Sequence, residues 1–157
     1  MSSEMKLQAD VVQFGTFTLG AQSFGVNILE MREIIRPLDI TKVPRAPSFM
    51  EGVINLRGLV IPIISLRARF GMPLKAFDKE TRIINMEIDG VVVGFIVDSI
   101  GHVQRFPLDA IEPTPAVAAS VDSEYIEGIC RAEDKLFIIL DVGKLVSIEA
   151  LRDFAQG

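Results

Sequence analysis

His102 is the only histidine in the chain and Cys130 its only cysteine, so the side chains offer narrow chemistry. Nucleophilic catalysis needs a nucleophile, a base and an orienting group within reach of one another. Only Asp98-Ser99-Ile100-Gly101-His102 brings such types close in sequence. That run follows an apolar stretch and carries Gly101, so it reads as a strand end and turn. A triad is defined by spatial geometry and not by neighbourhood, and an enzyme using Ser99 and His102 is the least favoured reading. A zinc site needs three or four ligands, which one His, one Cys and scattered carboxylates supply poorly. Cys130 follows Ile129 in an apolar run and reads as a small buried hydrophobe. Gly90-Val91-Val92-Val93-Gly94 lies inside a hairpin with no helix after it, so it is no phosphate loop. The expectation is no catalytic residue, no cofactor and no metal, which points to a binding protein.

Length and composition narrow the partners. The 157 residues make one compact unit or two very small ones. Hydrophobic residues at 49% and charged residues at 24% supply an ordinary globular core. A net charge of −5 argues against nucleic acid, whose phosphates demand a basic surface. The longest apolar stretch, Leu59 to Ile64, is far too short for a bilayer, and residues 1–13 lack the apolar core of a signal peptide. A lone cysteine excludes an intrachain disulfide. The expected compartment is the cytoplasm, with no direct membrane insertion.

The elements that would position a binding surface follow from local pattern. Residues 1–13 read as a loose tail. Residues 14–28 alternate apolar and polar around Gly20-Ala21-Gln22, a β-hairpin. Asn27 and Glu30 fit a capping box, predicting a short helix from there to about Ile35, stopped by Pro37. Glu30 and Glu33 would share one face of it, and Met31, Ile34 and Ile35 the other. Thr41 to Pro47 is a proline-punctuated connector. Ser48 to Glu51 is a second capping box, with Gly52 as its stop. Val53 to Ile64 reads as a hairpin turning over Asn55–Gly58, and Ser65 caps a short helix ended by Gly71. Residues 72–80 form a polar loop. Arg82–Ile88 and Val91–Val97 make a hairpin about Asp89-Gly90, a pair suited to a type I′ turn. A second proline-rich connector runs from Gln104 to Asp122. Two strands then meet near Ala132–Lys135, and a helical pattern starts at Asp141.

The two halves repeat. Phe49-Met50-Glu51-Gly52-Val53-Ile54 matches Tyr125-Ile126-Glu127-Gly128-Ile129-Cys130. The same spacing sets Val60-Ile61 on Leu136-Phe137 and Ile63-Ile64 on Ile139-Leu140. Leu19, Gly25 and Val26 match Ile88, Gly94 and Phe95 more loosely. Four or five short strands per half bury both faces only by closing into a small barrel. The predicted organisation is a tail (1–13), a first barrel (14–77), a second barrel (78–143) and a C-terminal helical segment (144–157). Units so small need a shared apolar layer where they meet, with a groove along the waist for a partner's helix.

Phe17-Thr18-Leu19-Gly20, Ile28 to Ile34, Gly52-Val53-Ile54-Asn55-Leu56-Arg57-Gly58 with Pro62 to Arg67, and Val92 to Asp98 together resemble the CheW family, the coupling proteins of bacterial chemotaxis. The resemblance covers about residues 14–147. It implies a mostly β fold of two pseudo-symmetric, SH3-like five-stranded β-barrels sharing a hydrophobic interface. It also implies no enzymatic activity and no cofactor. The implied partners are the cytoplasmic tips of methyl-accepting chemoreceptors and the regulatory domain of a CheA-type histidine kinase. The chain would be a monomer alone, recruited to membrane receptor arrays with its partners. Paralogous adaptors of pilus or surface-sensing pathways look alike at this level.

Carried over by the resemblance, the receptor- or kinase-binding set is Glu33, Ile34, Gly52, Arg57, Gly58, Ile83 and Val93. Arg57 reads either as a partner contact or as a clamp fastening its own turn. Glu33 reads as a rim charge or a solvated face. Gly52 and Gly58 serve backbone geometry, and Ile83 and Val93 are more often core than contact. Ser65 stands where many members carry Asp, so a local salt link to Arg67 or Arg69 is expected to be missing. No receiver domain follows residue 157, so a CheV-type fusion is not expected. A competing reading is a small-ligand or oligonucleotide-binding barrel. Absent tryptophan and a single tyrosine count against base stacking.

Overall fold

Paired strands account for about half of the computed structural model, which describes residues 10–113 and 121–155. The first hairpin is β1 (Val11–Leu19) with β2 (Gln22–Asn27). Then come β3 (Met31–Ile35), β4 (Met50–Leu56), β5 (Leu59–Ser65), β6 (Arg82–Ile88) and β7 (Val91–Val97). The remaining strands are β8 (Ser99–Ile100), β9 (Gln104–Pro107), β10 (Ile126–Ala132) and β11 (Lys135–Leu140). Among the described residues there are also three short α-helices, α1 (Leu66–Arg69), α2 (Val142–Leu145) and α3 (Ile148–Arg152), and three single 3-10 turns.

The strands form two sheets. One is five-stranded, in the order β3-β6-β7-β5-β4. The other is six-stranded, in the order β10-β11-β2-β1-β8, with β9 also on β1. Each holds one parallel pair, β5 with β7 and β11 with β2. In both, the segment leaving one outer strand bridges the opposite edge. Thr41, after β3, pairs with Val53 of β4, and Glu112, after β9, pairs with Ile129 of β10. Such bridges occupy edges that would otherwise be open to other chains.

The repeat is realised in space. β4 and β10 lie 76 residues apart with identical lengths, and so do α1 and α2. The strands, however, do not group as 14–77 and 78–143. The five-stranded sheet takes β3 through β7, whereas the six-stranded sheet joins the first hairpin to β8 through β11. The parallel β2–β11 ladder, with Phe24 opposite Ile138, ties the two ends of the described chain together.

Four local expectations are corrected. Val11 to Gln13 belong to β1, paired with β9, and are not tail; residues 1–9 lie outside the described residues. The helix expected over 27–35 is one 3-10 turn, Ile28–Glu30, followed by strand. Asn27 does cap, its Oδ1 accepting from the Leu29 N–H at 2.9 Å. The β-branched Ile34 and Ile35 then pair with Ile84 and Ile83 of β6, and that ladder outweighs the local helical option. The second capping box is likewise strand, because Met50 opposite Ile64 starts the β4–β5 ladder. The C-terminal helical pattern is two helices separated at Val146–Ser147.

The largest apolar cluster lies between the sheets, not inside either. It gathers Phe17, Phe24 and Val26 from one with Ile84, Met86, Val93 and Phe95 from the other, sealed by Leu66, Leu145 and Leu151. Each sheet keeps a smaller cluster of its own, Phe14, Phe106, Cys130, Phe137 and Ile139 in one and Ile54, Ile61, Ile63 and Ile83 in the other. The expected shared layer is present, and its members are buried core, so the waist itself is not an open groove.

Arg69 fastens this seam. Its guanidinium lies over the Phe49 ring at 4.5 Å and the Tyr125 ring at 5.1 Å, two aromatics related by the repeat. Its Nε donates to the Leu145 carbonyl at 2.7 Å, filling an acceptor at the end of α2. Arg69→Ala removes both contacts and is expected to lower unfolding stability by about 2 kcal/mol, read from urea midpoints. Arg69→Lys should recover under half of that, since an ammonium does not stack.

Candidate functional site

Asn55-Leu56-Arg57-Gly58 turns the chain between β4 and β5, and the turn needs positive φ at two successive residues. Arg57 has φ of 52° and Gly58 of 83°, and Asn55 Oδ1 accepts from the Gly58 N–H at 3.1 Å. Positive φ is uncommon for a residue with a Cβ. The Asn55 cap and the strand twist hold Arg57 there. Its side chain is 70% exposed and projects off the tip.

Arg57 reaches Glu33 of β3, with Nη2 2.5 Å from Oε1. These strands sit at opposite ends of the sheet's order, so the contact crosses from edge to edge of a curled sheet. Two residues singled out separately in the sequence are therefore one ion pair. The contact ties the turn to β3 while most of the Arg57 side chain still faces solvent. A pair this exposed adds no more than about 1 kcal/mol to stability. Ile34, beside Glu33, is 43% exposed and adds an apolar spot. Arg32 pairs with Glu87 on the same rim.

The rest of the predicted set is placed differently. Ile83 and Val93 are 0% exposed, in the sheet's own cluster and the shared layer respectively. Neither offers a contact surface; their part is packing. Gly52 has φ of 148°, and a Cβ there would overlap the Thr41 carbonyl oxygen. It is needed for the bridge to Val53. Gly58 has open space around it and serves the turn alone.

Residues 98–102 carry no reactive grouping. The Asp98 carboxylate is engaged by Arg67, whose Nε lies 2.9 Å from Oδ1 and Nη2 2.5 Å from Oδ2. The Ser99 hydroxyl pairs with Thr18 at 2.6 Å, and the His102 carbonyl accepts from Thr16 at 2.6 Å. Among the described residues no cluster of His, Cys, Asp or Glu has metal-binding geometry. Burial pushes the Cys130 thiol up to about 11, with the Glu112 charge adding to it, so thiolate is scarce at neutral pH.

Arg67 and Asp98 each stand in a motif of the sequence, but their pairing was not foreseen from it. Ser65 does cap α1, its Oγ accepting from the Ala68 N–H at 3.1 Å. The carboxylate that Arg67 uses, though, lies 31 residues on. Asp98 also accepts the Gly20 N–H of the β1–β2 turn at 2.7 Å, so one side chain joins α1 to the other sheet. The available signal was the Val97-Asp98 step, where an apolar strand ends on a charge. Asn85, an amide inside the apolar run of β6, was also passed over.

Comparison with known proteins agrees with this architecture. A family model described as a CheW-like domain matches residues 13–150. The chain is 33% identical over 153 residues to a chemotaxis protein CheW of Klebsiella aerogenes, covering 96% of this chain and 92% of that protein. It is 36% identical over 133 residues to a probable chemotaxis protein CheW of Rhizobium etli, covering 83% and 84%. Among solved structures, scaffolding protein TtCheW from Thermoanaerobacter tengcongensis superposes with a TM-score of 0.82 at 35% identity, covering 92% of this chain and 94% of that one. Shared sheets, a realised repeat and a family match over nearly the whole described chain lead to one assignment: the chain belongs to the CheW-like family.

Proposed function

We propose that this chain is a non-enzymatic adaptor that couples the cytoplasmic tips of chemoreceptors to the regulatory domain of a CheA-type histidine kinase. The observation that carries the reading is the exposed Arg57–Glu33 pair with Ile34, displayed at the end of one sheet on a turn held in place by its own backbone. Relatives named as chemotaxis and scaffolding proteins support it. A planar guanidinium already oriented by Glu33 binds a partner's carboxylate or carbonyl with little side-chain ordering left to do. Ile34 adds apolar area beside it. Receptor state would act by favouring one adaptor–kinase arrangement over another, by about 1–3 kcal/mol. Each contact would be small, below about 1,200 Å², and strengthened by repetition within an array. No helix among the described residues is long and apolar enough to cross a membrane. We place the adaptor in the cytoplasm, brought to the membrane by its receptors.

The test mixes the purified chain with a receptor signalling fragment in vesicles and with the kinase. The expected outcome is co-sedimentation of all three, with kinase activity that depends on the adaptor. Kinase activity and sedimentation indifferent to the chain would overturn the proposal.

A further inference from the structure

The rim that carries Arg57 surrounds a recess of about 230 Å³ at the end of the five-stranded sheet. Leu56, Leu59, Ile61 and Val92 give it apolar walls, and Arg32, Glu33 and Arg57 line its mouth with charges already held in ion pairs. Asn85 also lines it, and this side chain is out of place chemically. It is 1% exposed, and neither its Nδ2 nor its Oδ1 has a hydrogen-bond partner among the described residues. Buried amides are nearly always satisfied, because leaving both ends unpaired forfeits two hydrogen bonds.

The backbone accommodates this amide. Asn85 stands opposite Gly94 in the β6–β7 ladder. A Cβ at position 94 would lie 2.9 Å from Asn85 Oδ1 and 2.6 Å from Ile63 Cδ1. Glycine there leaves the inward space that the amide occupies.

We infer that the recess is a binding site for a carboxamide carried on a short aliphatic stem. Asn85 offers one donor group and one acceptor and no charge. A carboxylate has no hydrogen to give Oδ1, and an ammonium has no lone pair for Nδ2. A carboxamide matches both through two parallel bonds, its N–H to Oδ1 and its C=O from Nδ2. The four apolar walls suit a propyl-length stem. The volume is below that of ordinary small-molecule pockets, so the guest is of side-chain size. The walls shield the Asn85 polar atoms from solvent, so the guest enters by displacing side chains, the exposed Arg57 side chain at the rim among them. The guest is a glutamine side chain of a partner polypeptide or a free small amide; the chemistry is the same.

The experiment needs neither kinase nor receptor, so its failure leaves the adaptor proposal standing. Full chain labelled with nitrogen-15 and carbon-13 is titrated with butyramide while the Asn85 side-chain N–H pair is followed by NMR. A saturable shift is expected, with Kd on the order of 1 mM for so small a ligand, and at least tenfold weaker binding of butyrate and butylamine. Asn85→Leu should abolish the response in the Val92 and Ile61 methyl signals and raise the melting temperature. Val92→Phe fills the recess and should abolish the response with Asn85 in place. A capped Gly-Gly-Gln-Gly-Gly peptide that outcompetes butyramide identifies a polypeptide guest; a peptide that does not compete identifies a free amide. No saturable shift of the Asn85 signals, a shift that survives Val92→Phe, or an amide paired only with water would each overturn the inference.

Discussion

Asp98→Ala is expected to destabilise the chain by about 3 kcal/mol, because it strands the Arg67 guanidinium without its counter-charge. Both side chains are largely buried, at 16% and 15% exposure. The geometry is bidentate, and Asp98 also holds the Gly20 N–H of the other sheet. The deletion therefore removes an ion pair and a cross-sheet tie together. The hydrogen bonds from Arg67 hold the Asp98 carboxyl below its ordinary range. Burial acts against them, and the Gly20 N–H and the charges of Arg67 and Lys75 add to them. A carboxyl whose folded pKa is depressed gives stability that is complete above its unfolded value and is lost as pH falls through its folded value. The contribution of Asp98 should thus be whole above about pH 4 and shrink below it. Urea titrations of wild type and Asp98→Ala at pH 7 and pH 3 check this. The gap between the two curves should narrow at the lower pH, and a gap unchanged with pH would show that lost packing, not charge, is responsible.

The second large effect concerns binding. Arg57→Glu is expected to weaken capture of receptor or kinase by about 10- to 100-fold, in the range of an interface anchor. The unfolding midpoint should move by less than the equivalent of about 1 kcal/mol. The Arg57–Glu33 contact makes a sharper version possible. Adding Glu33→Arg to Arg57→Glu rebuilds the pair with its charges exchanged. If the pair serves only to hold the turn, the double variant regains capture. If the exposed guanidinium meets a partner at that tip, capture stays low while stability returns. Sedimentation with the receptor fragment and kinase reads one quantity, and urea unfolding the other.

How much of this was legible in the sequence can be argued residue by residue. Asp89-Gly90 between two apolar runs specified β6 and β7 to the residue, since few turns other than type I′ suit that pair. The repeat foretold the equivalence of β4 with β10 and the shared apolar layer. The helices expected at 27–35 and 48–52 failed for a common reason. A capping side chain looks the same whether one turn or three follow it. What decided the outcome was pairing with β6 and β5, partners set by long-range topology. The division at residue 77 failed likewise, because nothing local tells β2 that its neighbour will be β11. At the site, Glu33 and Arg57 were both found, but their contact was not, since it depends on the curl of the sheet. For Arg67 the sequence offers only the absence of a local carboxylate at Ser65, while the carboxylate it uses follows the end of β7.

The β2–β11 ladder has a consequence for synthesis on the ribosome. Residues 31–97 hold every strand of the five-stranded sheet, so that unit can assemble while the rest of the chain is still being made. The first hairpin is translated before it, yet it gains its parallel neighbour only when residue 139 has emerged. At roughly 5–20 residues per second this leaves it waiting for several seconds, with Phe17 and Phe24 uncovered on one side. The nascent hairpin is thus the stretch most exposed to chaperones and to mispairing between neighbouring polysomes. A stalled chain released before β11 would carry one finished sheet and an orphaned ribbon.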